Sequence, residues 1–162
     1  MLKNCLAFFI LMSVLGSCNS DNLIKDNTVF RYNEHKNISG LDPAFAKDNA
    51  DIWAIHQLFN GLVQMDERMQ IIPCIASSWT ISEDGTVYTF KLRDDVFFHP
   101  HLEFGEKQTR TVTANDFVYS FNRLKDPKIA SPGRWVLDSV EEFKAINSNT
   151  FQIKLKYPFP AF

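Results

Sequence analysis

Cysteine, glycine and surplus charge are all scarce in this sequence. It holds three cysteines, six glycines and seven prolines in 162 residues. So little glycine and proline, without a repeat, excludes collagen-like and low-complexity chains. Seventeen basic residues stand against nineteen acidic ones, for a net charge of −2. Nucleic acid is therefore excluded as the main partner, because phosphate neutralisation needs a clustered excess of Lys and Arg. No apolar run reaches the ~20 residues that cross a bilayer. GxSxG, HExxH, P-loop and GxGxxG motifs are all missing. What remains is an ordinary globular composition, 45% hydrophobic and 14% aromatic. The length is that of one domain or of a piece of something larger.

The N-terminus reads as an address. Lys3 supplies one positive charge, and Cys5 to Leu15 is almost wholly apolar, as in the h-region of a secretory signal. A buried N-terminal helix is the alternative, but the run has no polar face and stops abruptly at Cys18-Asn19-Ser20-Asp21-Asn22. Leu15-Gly16-Ser17-Cys18 resembles a bacterial lipobox. Residues 1–17 are then a signal peptide, Cys18 the lipidated first residue of the mature chain, and 18–26 a polar tether. Cys5 leaves with the signal, so Cys74 alone remains. No disulfide framework and no cysteine-based zinc site can form within the chain. Cys74 sits in Ile71-Ile72-Pro73-Cys74-Ile75-Ala76 and reads as a small buried hydrophobe rather than a nucleophile.

The rest alternates between helical and β-rich patterns. Thr28–Tyr32 is expected to be a strand. Asp48 or Asn49 can cap a helix bearing Ile52, Ile55, Phe59 and Leu62, with Gly61 as its stop. Leu62–Met65 and Gln70–Ile72 flank a polar turn. Trp79–Ile81 and Val87–Leu92 flank Asp84-Gly85, a hairpin signal, with Tyr88, Phe90 and Leu92 on the core face. Val96-Phe97-Phe98 is expected to be a short strand, followed by an irregular loop from His99 to Arg110. Thr113 and Asp116 form a capping box that opens a helix carrying Phe117, Phe121 and Leu124 and closed by Asp126-Pro127. Phe143–Ile146 and Phe151–Leu155 make a last strand pair. The fold class is α/β (mixed α+β).

Few residues invite chemistry. His99-Pro100-His101 with Glu103 and Glu106 could offer two imidazoles and a carboxylate to a metal. The stretch reads instead as a solvated loop, with no residue in view to orient the imidazoles. Asp94-Asp95 follows Arg93 at a strand end and reads as a turn rather than a catalytic pair. No catalytic residue, metal or cofactor is expected.

A series of landmarks takes the reading further. They run Leu41-Asp42-Pro43-Ala44, Leu58-Phe59-Asn60-Gly61-Leu62-Val63, Ile72-Pro73-Cys74-Ile75-Ala76-Ser77-Ser78-Trp79 and Ser82-Glu83-Asp84-Gly85-Thr86-Val87-Tyr88-Thr89-Phe90-Lys91-Leu92-Arg93. Phe97-Phe98-His99, Val112-Thr113-Ala114-Asn115-Asp116-Phe117-Val118-Tyr119-Ser120-Phe121, Asp126-Pro127, Ala130-Ser131-Pro132-Gly133 and Pro158-Phe159-Pro160-Ala161-Phe162 follow. In this order they resemble the extracytoplasmic solute-binding proteins of the peptide and nickel class, the receptors of oligopeptide and dipeptide ABC importers.

The resemblance implies a two-lobed, type II periplasmic-binding-protein fold of which this chain is the N-terminal part. Residues 27–60 would open the main lobe, 61–162 would be most of a small extra domain, and the second lobe would lie beyond Phe162. It also implies a monomeric receptor, anchored to the membrane at Cys18 in the cell envelope, that closes on a peptide and hands it to permease subunits. Two segments carry over as ligand contacts: Lys47-Asp48-Asn49 after the Leu-Asp-Pro turn, and Gly133-Arg134-Trp135 after the Ser-Pro pair. Asp48 could meet a ligand amine and Arg134 a carboxylate; alternatively Asp48 is a helix cap and Trp135 a packed aromatic. Some members of the class carry tyrosine where Gly133 stands. Receptors for nickel, haem, glutathione or sugars, a surface adhesion lipoprotein, and a metal hydrolase at His99 and His101 are the competing readings.

Overall fold

The computed structural model describes residues 32–159. Two compact units are present, Met1–Glu34 and His35–Phe162. Of the first, only residues 32–34 are described: the Tyr32 hydroxyl donates to the Glu34 carboxylate at 2.8 Å. The expected signal, the lipidation site and nearly all of the strand expected at Thr28–Tyr32 lie outside the described residues, and Tyr32 itself is not in a strand.

The second unit is built on an antiparallel sheet. Its strands are β3 (Ala76–Ile81), β4 (Val87–Leu92), β5 (Val140–Asn147) and β6 (Thr150–Leu155), in the order β3-β4-β6-β5. A separate hairpin pairs β1 (Val63–Met65) with β2 (Ile71–Pro73). Among the described residues there are two α-helices, α1 (Asn49–His56) and α2 (Ala114–Lys125). The class is mixed α/β, as the sequence pattern implies.

Alternation along the strands makes one sheet face apolar. Phe90, Leu92, Val140, Phe151, Ile153 and Leu155 are buried there, and Tyr88 packs against them. Helix α2 covers that face. Phe151 is completely buried, and its ring lies 5.6 Å from Phe117 and 5.5 Å from Phe121, centroid to centroid. Phe121 also meets Phe143 edge-on at 5.4 Å. Cys74 is half-buried against this core.

The turns form where the polar residues place them. Asp84 accepts from the Thr86 N–H at 3.0 Å and the Thr86 hydroxyl at 2.8 Å. Gly85 takes the positive φ (68°) that a side chain would resist. The β5–β6 turn is anchored twice: Leu92 N–H donates to the Asn149 carbonyl and Ala114 N–H to the Ser148 carbonyl, both at 2.8 Å. The second bond fixes the start of α2 over the sheet.

Three sequence expectations need correction. Helix α1 ends at His56, not at Gly61. Leu58 and Phe59 continue it only as a turn, both N–H groups converging on the Ile55 carbonyl at 2.9 Å. No Gly61 φ is positive, so it is no helix stop. Instead the Gly61 and Leu62 carbonyls accept from Ile75 and Ala76, which pulls the chain into the β1–β2 hairpin. The strand expected at Val96–Phe98 reduces to one bridge, Phe97 to Thr111. The loop after it is more regular than expected, with a kinked 3-10 helix over Leu102–Lys107 and Gly105 at the kink.

Candidate functional site

The first predicted segment hangs between anchored ends. Asp42 caps a one-turn 3-10 helix, Pro43–Phe45, by accepting from the Ala44 N–H at 3.0 Å. The same carboxylate takes two bonds from Arg123 on α2, at 3.1 and 2.7 Å. That pairing holds the Asp42 carboxyl below the ordinary carboxylate range. Loop residues Ala46 and Lys47 follow, and Lys47 is exposed. Asp48 then closes the segment as the N-cap of α1, accepting from the Asp51 N–H at 3.3 Å.

Asp48 is both a cap and a paired charge. Lys36 Nζ lies 2.7 Å from its carboxylate and lowers its pKa. Asn49 is the exposed first residue of α1. Asp51, one turn in, is 2% exposed. Its carboxylate accepts from the Ser39 N–H at 2.7 Å and the Ser39 hydroxyl at 2.6 Å, which depress its pKa. Two carboxylates at the head of α1 thus strap residues 36–40 across it. Asp51 carries no local sequence signal, because its partner lies twelve residues away in a loop.

The second segment is a side-chain-built turn. The buried Ser131 hydroxyl accepts from the Gly133 N–H at 3.2 Å, and its carbonyl accepts from the Arg134 N–H at 3.2 Å. A short 3-10 helix, Arg134–Leu137, follows and packs on α2. Leu137 is its buried anchor; Arg134 is exposed and the Trp135 ring is 72% exposed. Trp135 is therefore not the packed aromatic of the alternative reading. Gly133 adopts φ −83°, and a Cβ there would meet only the Ser131 hydroxyl at 3.7 Å. The backbone would accept a side chain; its absence leaves room.

Helix α2 supports both segments, through Arg123 at the first and through packing at the second. Among the described residues no hydrogen bond or ion pair joins Lys47, Asp48 or Asn49 to Gly133, Arg134 or Trp135 directly.

Beside the α2 N-terminus lies an apolar cavity of about 420 Å³, its walls including Leu41, Leu58, Phe59, Phe97 and Phe117, with Asn60, His99, Asp116 and Ser120 as polar members. Its outer wall is braced by Arg110. That guanidinium lies 4.5 Å above the Phe98 ring and 5.7 Å from that of Phe104, and grips both Asp116 oxygens. Nothing in the sequence marks this cavity, whose walls come from five separate stretches.

The remaining candidates are placed plainly. His101 Nδ1 accepts from the Glu103 N–H at 3.2 Å and so caps the 3-10 helix. Among the described residues, no group of three His, Cys, Asp or Glu is arranged to hold a metal ion. Asp95 is paired with Arg93, Nε to Oδ1 at 2.8 Å, as a turn residue. Among the described residues no helix is long and apolar enough to cross a membrane.

Known proteins resemble this chain in sequence and fold. Residues 70–162 match the family described as bacterial extracellular solute-binding proteins, family 5 middle. The periplasmic murein peptide-binding protein of Escherichia coli K12 is 35% identical over 141 residues, 76% of this chain and 25% of that protein. A probable deoxycholate-binding periplasmic protein of the same strain is 32% identical over 151 residues, 83% of this chain and 27% of that one. Among solved structures, the substrate-binding domain of an oligopeptide ABC transporter from Bacillus anthracis Ames superposes with a TM-score of 0.72 at 28% identity, covering 81% of this chain and 27% of that one. The chain thus spans about a quarter of the length of the curated relatives it matches. On the family match and these identities, the chain belongs to the family 5 bacterial extracellular solute-binding proteins.

Proposed function

We propose that this chain is the N-terminal part of an extracytoplasmic receptor that binds peptides and delivers them to an ABC importer. The observation that carries the reading is the pair of largely exposed segments, 46–49 and 133–135, each held beside α2: the first through the Arg123 bonds to Asp42, the second through the packed Arg134–Leu137 helix. Preorganised loops of this kind present ligand contacts at low entropic cost. Of the three relatives described above, one is named for binding murein peptide and one as the substrate-binding domain of an oligopeptide ABC transporter; the third, named for deoxycholate, makes the ligand class a matter for experiment. No chemical step is involved. A second lobe closes over the ligand, and the closed form docks on the permease. Residues 27–60 open the main lobe, 61–162 form most of the small domain, and a lipid on Cys18 holds the monomeric receptor at the membrane.

The test is a thermal-shift screen of the full-length receptor against peptides, bile salts, metal chelates and sugars. A ligand at 100 times its Kd adds about 2.7 kcal/mol of stability. Stabilisation by peptides alone supports the reading. Stabilisation by another class replaces the ligand, and silence across all classes favours a surface lipoprotein that kept the scaffold.

A further inference from the structure

The charges around the first segment are unequally committed. Asp42 is held by Arg123, Asp48 by Lys36, and Asp51 by Ser39. Lys47 stands among them exposed and, among the described residues, without an ion pair or hydrogen bond. The second segment repeats the pattern: Arg134 is exposed and its guanidinium, among the described residues, makes no ion pair or hydrogen bond, next to the exposed Trp135. A ligand amine approaching Asp48 meets a carboxylate whose charge Lys36 already balances at Oδ2 and whose Oδ1 holds the helix cap, so it gains little. A ligand carboxylate approaching Lys47 or Arg134 displaces only water and gains a charge-assisted bond.

Resting on the receptor reading above, we propose that this part of the site selects acidic peptides, with Lys47 and Arg134 as the specificity-determining cations. This reverses the polarity that Asp48 suggests in the sequence alone. Arg134 offers a planar fork suited to a carboxylate, with Trp135 beside it as an apolar platform.

The experiment is calorimetric titration of the full-length receptor with Ala-Glu-Ala, Ala-Ala-Ala and Ala-Lys-Ala at one ionic strength. The expected result is an acidic-to-basic affinity ratio of about tenfold, the worth of one charge-assisted hydrogen bond. Lys47→Gln and Arg134→Gln should each shrink that ratio several-fold, Lys47→Arg should restore it, and high salt should compress it. Melting curves confirm that each variant is folded. A ratio near one, or a ratio that both Gln variants leave in place, overturns the inference while the peptide receptor stands. Failure of all three peptides to bind overturns the peptide reading itself, and this inference with it.

Discussion

At the scale of single residues, the commitments of three carboxylates decide what the site offers. Asp51 is the most buried of them, and the two hydrogen bonds it accepts from Ser39 favour its ionised form. Its pKa is depressed from the ordinary 3.8. The stability it contributes is therefore complete above that value and is lost as pH falls through the lowered one. Asp51→Asn should lower the melting temperature at pH 7, and the deficit should vanish in acid. A deficit independent of pH would mean that shape, not charge, matters there. Gly133 makes the opposite case. Since its φ is negative and a Cβ meets nothing closer than 3.7 Å, Gly133→Tyr should leave the melting temperature within experimental error while changing ligand affinity. The sequence named Asp48 as a cap or a ligand contact and could go no further. Its partner Lys36 sits twelve residues back, in a stretch with no regular pattern to place it.

At the scale of elements, local signals were legible where the chemistry is local. The Thr113 capping box is such a case: the Asp116 carboxylate accepts from the Thr113 N–H at 2.8 Å and from its hydroxyl at 3.0 Å. So is the Asp84-Gly85 turn. Helix α1 ends before its apolar spacing does: Phe59 and Leu62 keep helical spacing beyond His56, yet Phe59 is exposed and Leu62 is buried where the chain enters the hairpin that follows. Asp116 carries an extra load. Burial pushes its carboxyl up, but Arg110 and Thr113 outweigh this and hold it below the ordinary 3.8. Thr113→Ala should cost about 1 kcal/mol of stability, the usual worth of an N-cap. Asp116→Asn should also destabilise at neutral pH, since it breaks the cap and the Arg110 brace together. Its penalty should shrink as pH falls through the lowered pKa, because the wild-type carboxylate is then protonated too. Denaturant unfolding at pH 7 and pH 3 reads both, and equal penalties at the two pH values would remove the ionic part of the argument.

At the scale of the molecule, two apolar populations do different work. One is the sheet core under α2, centred on Phe151, where burial is complete and several rings converge. The other is a rim of exposed groups, Leu58, Phe59 and Phe97 at the cavity and Trp135 at the second segment, with Phe97 58% exposed. Hydrophobic stabilisation scales with area removed from water, so only the first population holds the fold. The alternation along β4 and β6 made that core readable in the sequence. The rim was not readable, because periodicity marks a residue as apolar without saying whether anything covers it. The two roles separate experimentally. Phe151→Ala should cost about 3–5 kcal/mol, the range for emptying a buried aromatic site. Phe97→Ser should change stability by about 0.5 kcal/mol or less, as surface substitutions do, while lowering the binding of a hydrophobic dye to a chain lacking residues 1–17. If Phe97→Ser instead unfolds the chain as Phe151→Ala does, the cavity wall belongs to the core, and the rim is a structural seam rather than a surface open to other parts of the receptor.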